Sequence, residues 1–170
     1  MYIFDGAMGT MLQAAGLEEG YCPELFNVEK PEVVKNIHAQ YLQHGSDVIT
    51  TNTFGACGLK LEDYNLQDRV KEINITAVKV AKEAIAEFKP SARVAGSMGP
   101  TGRFLQPLGN MSFDSIYDTY REQAEALIEG GVDFIIIETI IDVQEMRAAL
   151  LASLDAREAR SEEHTSELQS

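Results

Sequence analysis

Four short stretches hold residues suited to chemistry: Asp5-Gly6, Thr51-Asn52-Thr53-Phe54-Gly55, Gly96-Ser97-Met98-Gly99-Pro100-Thr101-Gly102 and Glu138-Thr139. Together they offer two carboxylates, an amide, several hydroxyls and glycine-rich turns. Carboxylates pair with an ammonium, and backbone amides exposed at glycine turns donate to a carboxylate, so the set suits a small zwitterion. Each stretch alone is ambiguous. Asp-Gly is a common turn signal, and Glu138 ends an apolar run where it can simply reach solvent. Thr51 to Gly55 reads equally as a strand entering a packed turn, with Phe54 in the core and Asn52 capping the loop. The Gly96 to Gly102 run lacks the Lys of a P-loop and the spacing of a dinucleotide fingerprint, which argues against phosphate. The joint occurrence makes the case for a site.

The elements that must position these residues are short β-rich runs alternating with longer segments of helical period, the pattern of βα units around a parallel sheet. Strands are expected at Tyr2 to Asp5, Asp47 to Thr51, Arg93 to Gly96 and Phe134 to Glu138, with apolar runs suited to burial on both faces. Helices are expected at Glu32 to His44, with Val34, Ile37 and Tyr41 on one face, and at Leu66 to Phe88, with Val70, Ile73, Ala77, Val80, Ala84 and Phe88 inward. A third spans Asp114 to Glu129, carries Ile116, Tyr120, Ala124 and Leu127, and is closed by Gly130-Gly131. Asp142 with Glu145 reads as a capping box opening a fourth, with Met146, Ala149 and Leu150 inward. Strand ends at Asp5, Thr50, Gly96 and Glu138 lie 45, 46 and 42 residues apart. Such a repeat suits a (β/α)8 barrel or a doubly wound sheet, and both place ligands at the carboxyl ends of the strands.

Composition excludes several classes. Lys+Arg 14 against Asp+Glu 27 gives a net charge of −13, which repels phosphate backbones, so nucleic acid is not an expected partner. The longest apolar run, Phe134 to Ile137, is far too short to span a bilayer, and no basic stretch leads into an apolar one at the start; a cytoplasmic protein is expected. Cys22 and Cys57 stand in no metal-ligand spacing and are read as reduced thiols. Met8, Met11 and Met98 read as gap-filling apolar residues, and the histidines on and near the first long helix as surface residues.

The last eleven residues, Arg160 to Ser170, break from the preceding pattern, with one apolar residue among them. Reverse-translated, the stretch matches a sequencing-library adapter, and it is expected to be a non-native tail; a solvated acidic tail is the alternative. Without its one Arg and three Glu the net charge is −11, so the acidity belongs to residues 1–159 either way.

The segments DGAMGTMLQ, KPEVVKNIHAQYLQHGSDVITTNTFG, AGSMGPTG and EGGVDFIIIET, in this order and at these separations, resemble the homocysteine-binding module of cobalamin-dependent methionine synthases, within the homocysteine S-methyltransferase family. The resemblance runs from Tyr2 to about Ala156. It implies a (β/α)8 barrel, of which residues 1–159 would be the first half, about four βα units. It implies homocysteine as substrate, with the ammonium held by Asp5 and Glu138 and the pocket lined by Asn52, Thr53, Ser97 and Thr101. It further implies a zinc ion, held by cysteines, that makes the homocysteine thiol a thiolate nucleophile, and methylcobalamin as methyl donor, recharged from methyltetrahydrofolate by other modules. The family's zinc cysteines come from the second half of the barrel, and Cys22 and Cys57 do not match them.

The chain alone is therefore expected to hold no zinc or cobalamin, to contain no catalytic residue and to transfer no methyl group. Its first and fourth strands would present unpaired edges, which favours aggregation or partial folding. Two other functions suit the residues: a stand-alone homocysteine methyltransferase using betaine or S-methylmethionine, and a non-catalytic module that senses an amino acid through Asp5 and Glu138.

Overall fold

The computed structural model describes residues 1–167, with side chains through Glu162. Three parallel strands form its sheet, β1 (Val48–Thr50), β2 (Arg93–Met98) and β3 (Phe134–Ile137), in that order. Val48 pairs with Arg93 and Thr50 with Ala95, then Ala95 with Phe134 and Met98 with Ile137. The expected first strand is reduced to a single parallel bridge between Phe4 and Val48. It keeps the strand path nonetheless: Asp5 N donates to Val48 O at 3.0 Å, and Val48 N donates to Ile3 O at 3.1 Å. Asp47, ion-paired to Lys89 at 2.8 Å, also accepts from Ile3 N at 3.1 Å and pins the segment at its amino end.

Among the described residues seven α-helices accompany the sheet: α1 (Met8–Ala14), α2 (Phe26–Glu29), α3 (Pro31–Gln43), α4 (Gly58–Leu61), α5 (Val70–Phe88), α6 (Phe113–Gly130) and α7 (Val143–Glu167), with 3-10 turns at Pro23–Leu25, Glu62–Tyr64 and Gln67–Arg69. The long helices follow the sequence period. Ile116, Tyr120, Ala124 and Leu127 of α6 are all fully buried, as are Val70, Ile73, Ala77 and Ala84 of α5. Helix α6 ends where Gly131 takes φ +86°, a left-handed conformation that glycine adopts without steric cost. One core joins β1, β2 and the sheet-facing sides of α5, α6 and α7 through Ile49, Val94, Met98, Tyr120, Leu127 and Ala149.

Several expectations change. Tyr2, Ile3 and Phe4 are about half exposed and β3 is only partly buried, because each lies at an outer edge of the sheet with no further strand beside it among the described residues. Helix α7 packs through Ala148, Ala149, Ala152 and Ala156, a stripe of small side chains, while Leu150 turns outward. Asp142 does cap α7, accepting from Gln144 N at 2.7 Å and Glu145 N at 3.2 Å. Glu145 does not complete the capping box. Its carboxylate is buried and accepts from Thr101 N, Thr101 Oγ1 and Tyr120 Oη at 2.8, 2.7 and 3.0 Å. His38 on α3 is buried, not a surface residue, with neither ring nitrogen hydrogen-bonded, and burial lowers its pKa to about 4. Helix α7 passes Arg160 without a break and reaches Glu167, so the proposed tail junction falls inside it; residues 168–170 lie outside the described residues.

Candidate functional site

At the carboxyl ends of the strands lies a cleft of about 540 Å³, walled by residues that include Phe4, Asp5, Met8, Glu24, Asn52, Phe54, Ser97, Ile136 and Glu138. Asp5 and Glu138 reach it from the two outermost segments of the sheet, as the spacing of the strand ends predicts. Its wall carries three carboxylates, with Glu24 the third, and no Lys, Arg or His. A cavity so lined favours a cation.

Each carboxylate is held differently. Asp5 Oδ2 accepts from Thr50 N at 2.8 Å, and Oδ1 accepts from the Thr50 hydroxyl. Burial nevertheless dominates and pushes its pKa up to about 6; the Thr50 bonds oppose that shift and the Glu138 charge adds to it. Glu138 Oε1 accepts from Ser97 Oγ at 2.6 Å, which fixes one oxygen and leaves the other for a ligand. The next residue, Thr139, sits at φ +64°, a left-handed conformation that costs a β-branched residue on the order of 1–2 kcal/mol. Strain of this kind, directly after a cleft carboxylate, is characteristic of functional turns.

Asn52 and Ser97 line the cleft between the two acids. Asn52 Nδ2 donates to Pro23 O at 2.8 Å, and Asn27 Nδ2 donates to Asn52 O at 2.7 Å. Thr53 and Thr101 are fully buried and do not line it. Thr53 Oγ1 donates to Ser97 O at 2.7 Å and its carbonyl accepts from Gln123 Nε2 at 2.8 Å, tying the loop after β1 to β2 and α6. Thr101 is bound to Glu145, tying the loop after β2 to α7. These two threonines hold the loops that present Asn52 and Ser97. Gly99 has a steric role: a Cβ there would lie 2.6 Å from the Phe54 ring, so only glycine lets that ring stand at the cleft.

The sequence reading passed over Glu24 and Thr50. Glu24 Oε1 accepts from Gly55 N at 2.7 Å and Oε2 from Cys22 Sγ at 3.3 Å, so it braces the Thr51 to Gly55 loop from the far side. A signal existed: a charged residue enclosed by Cys22-Pro23 and Leu25-Phe26 is a buried carboxylate in need of donors. The Cys22 thiol is pushed up to about 12 by burial and the Glu24 charge, and the Cys57 thiol to about 12 chiefly by burial. Among the described residues no three His, Cys, Asp or Glu gather into a group able to hold a metal. Cys22 and Cys57 belong to no such group, so they do not fit a zinc centre.

Comparison with known proteins shows the family. The profile of the homocysteine S-methyltransferase family matches residues 2–164. The methionine synthases of Mycobacterium tuberculosis (strain ATCC 25618 / H37Rv) and Mycobacterium leprae (strain TN) are 39% and 36% identical over 159 residues, covering 88% of this chain. The chain spans only 13% of the length of either. Among solved structures, the homocysteine methyltransferase MmuM from Escherichia coli superposes in its oxidized and metallated forms with a TM-score of 0.76 at 27% identity. That match covers 92% of this chain and 58% of the oxidized one. The parallel sheet, its helices and the sequence agree on one assignment: the chain belongs to the homocysteine S-methyltransferase family.

Proposed function

We propose that this chain is the first half of the homocysteine-binding (β/α)8 barrel of a cobalamin-dependent methionine synthase, and that its cleft docks the amino-acid end of homocysteine. The observation that carries the reading is the meeting of Asp5 and Glu138, from opposite edges of the sheet, in one cleft whose wall holds no basic side chain. An ammonium between them makes charge-assisted bonds to both, and each carboxylate is already aimed, one by Thr50 and the other by Ser97. Phe4, Met8 and Ile136 supply apolar wall for the side chain of the substrate. Asn52 and Ser97 complete the polar wall, and Thr53 and Thr101 act from behind it.

In the parent protein the reaction would be methyl transfer to homocysteine. Zinc, cobalamin and the methyltetrahydrofolate module are assigned to the rest of that chain, because the two cysteines here fit no zinc site; no step of the transfer is assigned to these residues alone. The same cleft geometry suits a stand-alone methyltransferase, which the likeness to the E. coli enzyme favours; the sequence following residue 159 in the source gene separates the two. Among the described residues no helix is long and apolar enough to cross a membrane; the cytoplasm is the proposed location.

Calorimetric titration of the chain at pH 7.5 with homocysteine and with 4-mercaptobutanoate, which lacks only the amino group, tests the docking. Homocysteine is expected to bind and the des-amino compound to give no measurable heat. Equal binding of the two would refute the ammonium clamp.

A further inference from the structure

Helix α6 turns one face to the loops that build the cleft, and one residue on that face differs in kind from its neighbours. Ile116, Tyr120, Ala124 and Leu127 are fully buried there, and Gln123 is fully buried among them. Its Nε2 donates to Thr53 O at 2.8 Å and lies 3.4 Å from both Ser97 O and Asn74 Oδ1. Its Oε1 is buried and accepts from no donor among the described residues. Three positions earlier, on the same side of the helix, Tyr120 Oη donates to Gly99 O at 2.9 Å. Helix α6 thus holds the chain where it leaves β1 and where it leaves β2.

The need of these carbonyls for donors does not account for the amide. Thr53 O also accepts from Ala56 N at 3.0 Å, and Ser97 O also accepts from Thr53 Oγ1 at 2.7 Å. Neither loses its last donor if Gln123 loses its amide, whereas the amide leaves its own oxygen unanswered in a buried place, which is costly. An apolar side chain of the same length would serve the core as well or better. What the amide alone supplies is position. Asn27 Nδ2 donates to Asn52 O at 2.7 Å, Asn74 Nδ2 donates to Ala56 O at 2.9 Å, and Glu24 Oε1 accepts from Gly55 N at 2.7 Å, so buried side chains grip the same loop from several sides. Gln123 differs from these three in also reaching β2, through Ser97 O.

We propose that Gln123 is a positioning residue of the cleft: its amide fixes the loop after β1 against the end of β2, and so places Asn52, Ser97 and, through Ser97 Oγ, the carboxylate of Glu138. Its effect on affinity rests on the reading that the cleft docks homocysteine; its effect on the loops needs no ligand. A side chain that never touches the ligand acts in this way by restricting the ones that do.

Gln123→Met, which keeps the length of the side chain and removes both the amide and its unanswered oxygen, tests this in the full 170-residue chain. Its urea unfolding midpoint is expected to equal or exceed that of the unaltered chain. The amides of Gly55 and Gly99, which donate to Glu24 Oε1 and Phe54 O, are expected to exchange with solvent about tenfold faster. Homocysteine is expected to bind about tenfold more weakly in calorimetry, and Ser97→Ala, which already frees Glu138, is expected to remove most of that difference. Unchanged exchange at both glycines would overturn the proposal whatever the stability does. So would failure of both Gln123→Met and Gln123→Leu to fold, because the residue is then structural. If homocysteine binds neither chain while both glycine amides exchange faster in the variant, the substrate reading falls and the positioning role stands.

Discussion

Replacing Asp5 by Asn removes a carboxylate that burial in the cleft wall holds at a pKa of about 6, against 3.8 for a free side chain. One pKa unit corresponds to 1.36 kcal/mol, so ionising Asp5 costs the folded chain up to about 3 kcal/mol. The raised value means that the folded state binds the proton more tightly. The stabilisation is complete below pH 3.8 and is lost as pH rises through about 6. His38 works in the opposite sense. Buried and neutral, with a pKa lowered to about 4 from 6.5, it stabilises the fold fully above pH 6.5 and loses about 3 kcal/mol of that as pH falls toward 4. In the unaltered chain the two slopes largely cancel between pH 4 and 6.5, and the substitution uncovers that of His38. Asn keeps the shape of Asp and can accept one of the two Thr50 donors, but its amide hydrogens face the other, at a cost of about 1 kcal/mol. Asp5→Asn is thus expected to be about 2 kcal/mol more stable than the original chain at pH 7 and about 1 kcal/mol less stable at pH 4. Urea unfolding followed by far-ultraviolet circular dichroism, at one protein concentration and ionic strength, measures both curves. A stability difference that does not change with pH, or a variant weaker than the original at pH 7, would refute the reasoning.

Ser97→Ala deletes the hydroxyl that orients Glu138, and is expected to weaken homocysteine binding roughly tenfold in calorimetry with little change in melting temperature. Gly99→Ala drives a methyl into the Phe54 ring and is expected to cost about 1–3 kcal/mol in urea unfolding; Phe54→Ala in the same chain should recover most of that loss, a coupling that a double-mutant cycle measures directly. Tyr120→Phe removes a buried hydroxyl that donates to Gly99 O or Glu145 Oε1, and is expected to cost about 1–3 kcal/mol by the same assay.

Much of the fold is legible in the residues. A helix that buries one side of itself must repeat its apolar side chains every three to four positions, and α3, α5 and α6 do so; Gly131 must follow α6 because the chain reverses there. The cleft acids Asp5 and Glu138 are legible for a related reason, since strands of a parallel sheet deliver their last residues to one rim. What local pattern does not carry is partnership between distant residues. Glu145 carries the signature of a cap, but α6 brings Tyr120 and the loop after β2 brings Thr101, and these three donors outcompete the helix terminus. Thr53 and Thr101 have the composition of a pocket wall and lie behind it, because burial satisfies their hydroxyls on carbonyl and carboxylate oxygens. His38 shares a period with apolar neighbours and follows them into the core, where its polarity is unanswered. The run from Tyr2 to Asp5 has every local mark of a strand, but among the described residues its ladder is a single bridge from Phe4 to Val48 at the edge of the sheet.

Asp5 and Glu138 stand at the tips of the two outermost segments, with three strand junctions between them. They behave as the jaws of a caliper. A few degrees of change at each junction accumulates along the sheet and appears in full as a change in the gap between the tips. For the proposed ammonium clamp, the gap between the two acids is therefore set by the curvature of the whole sheet, and contacts far from the cleft bear on it.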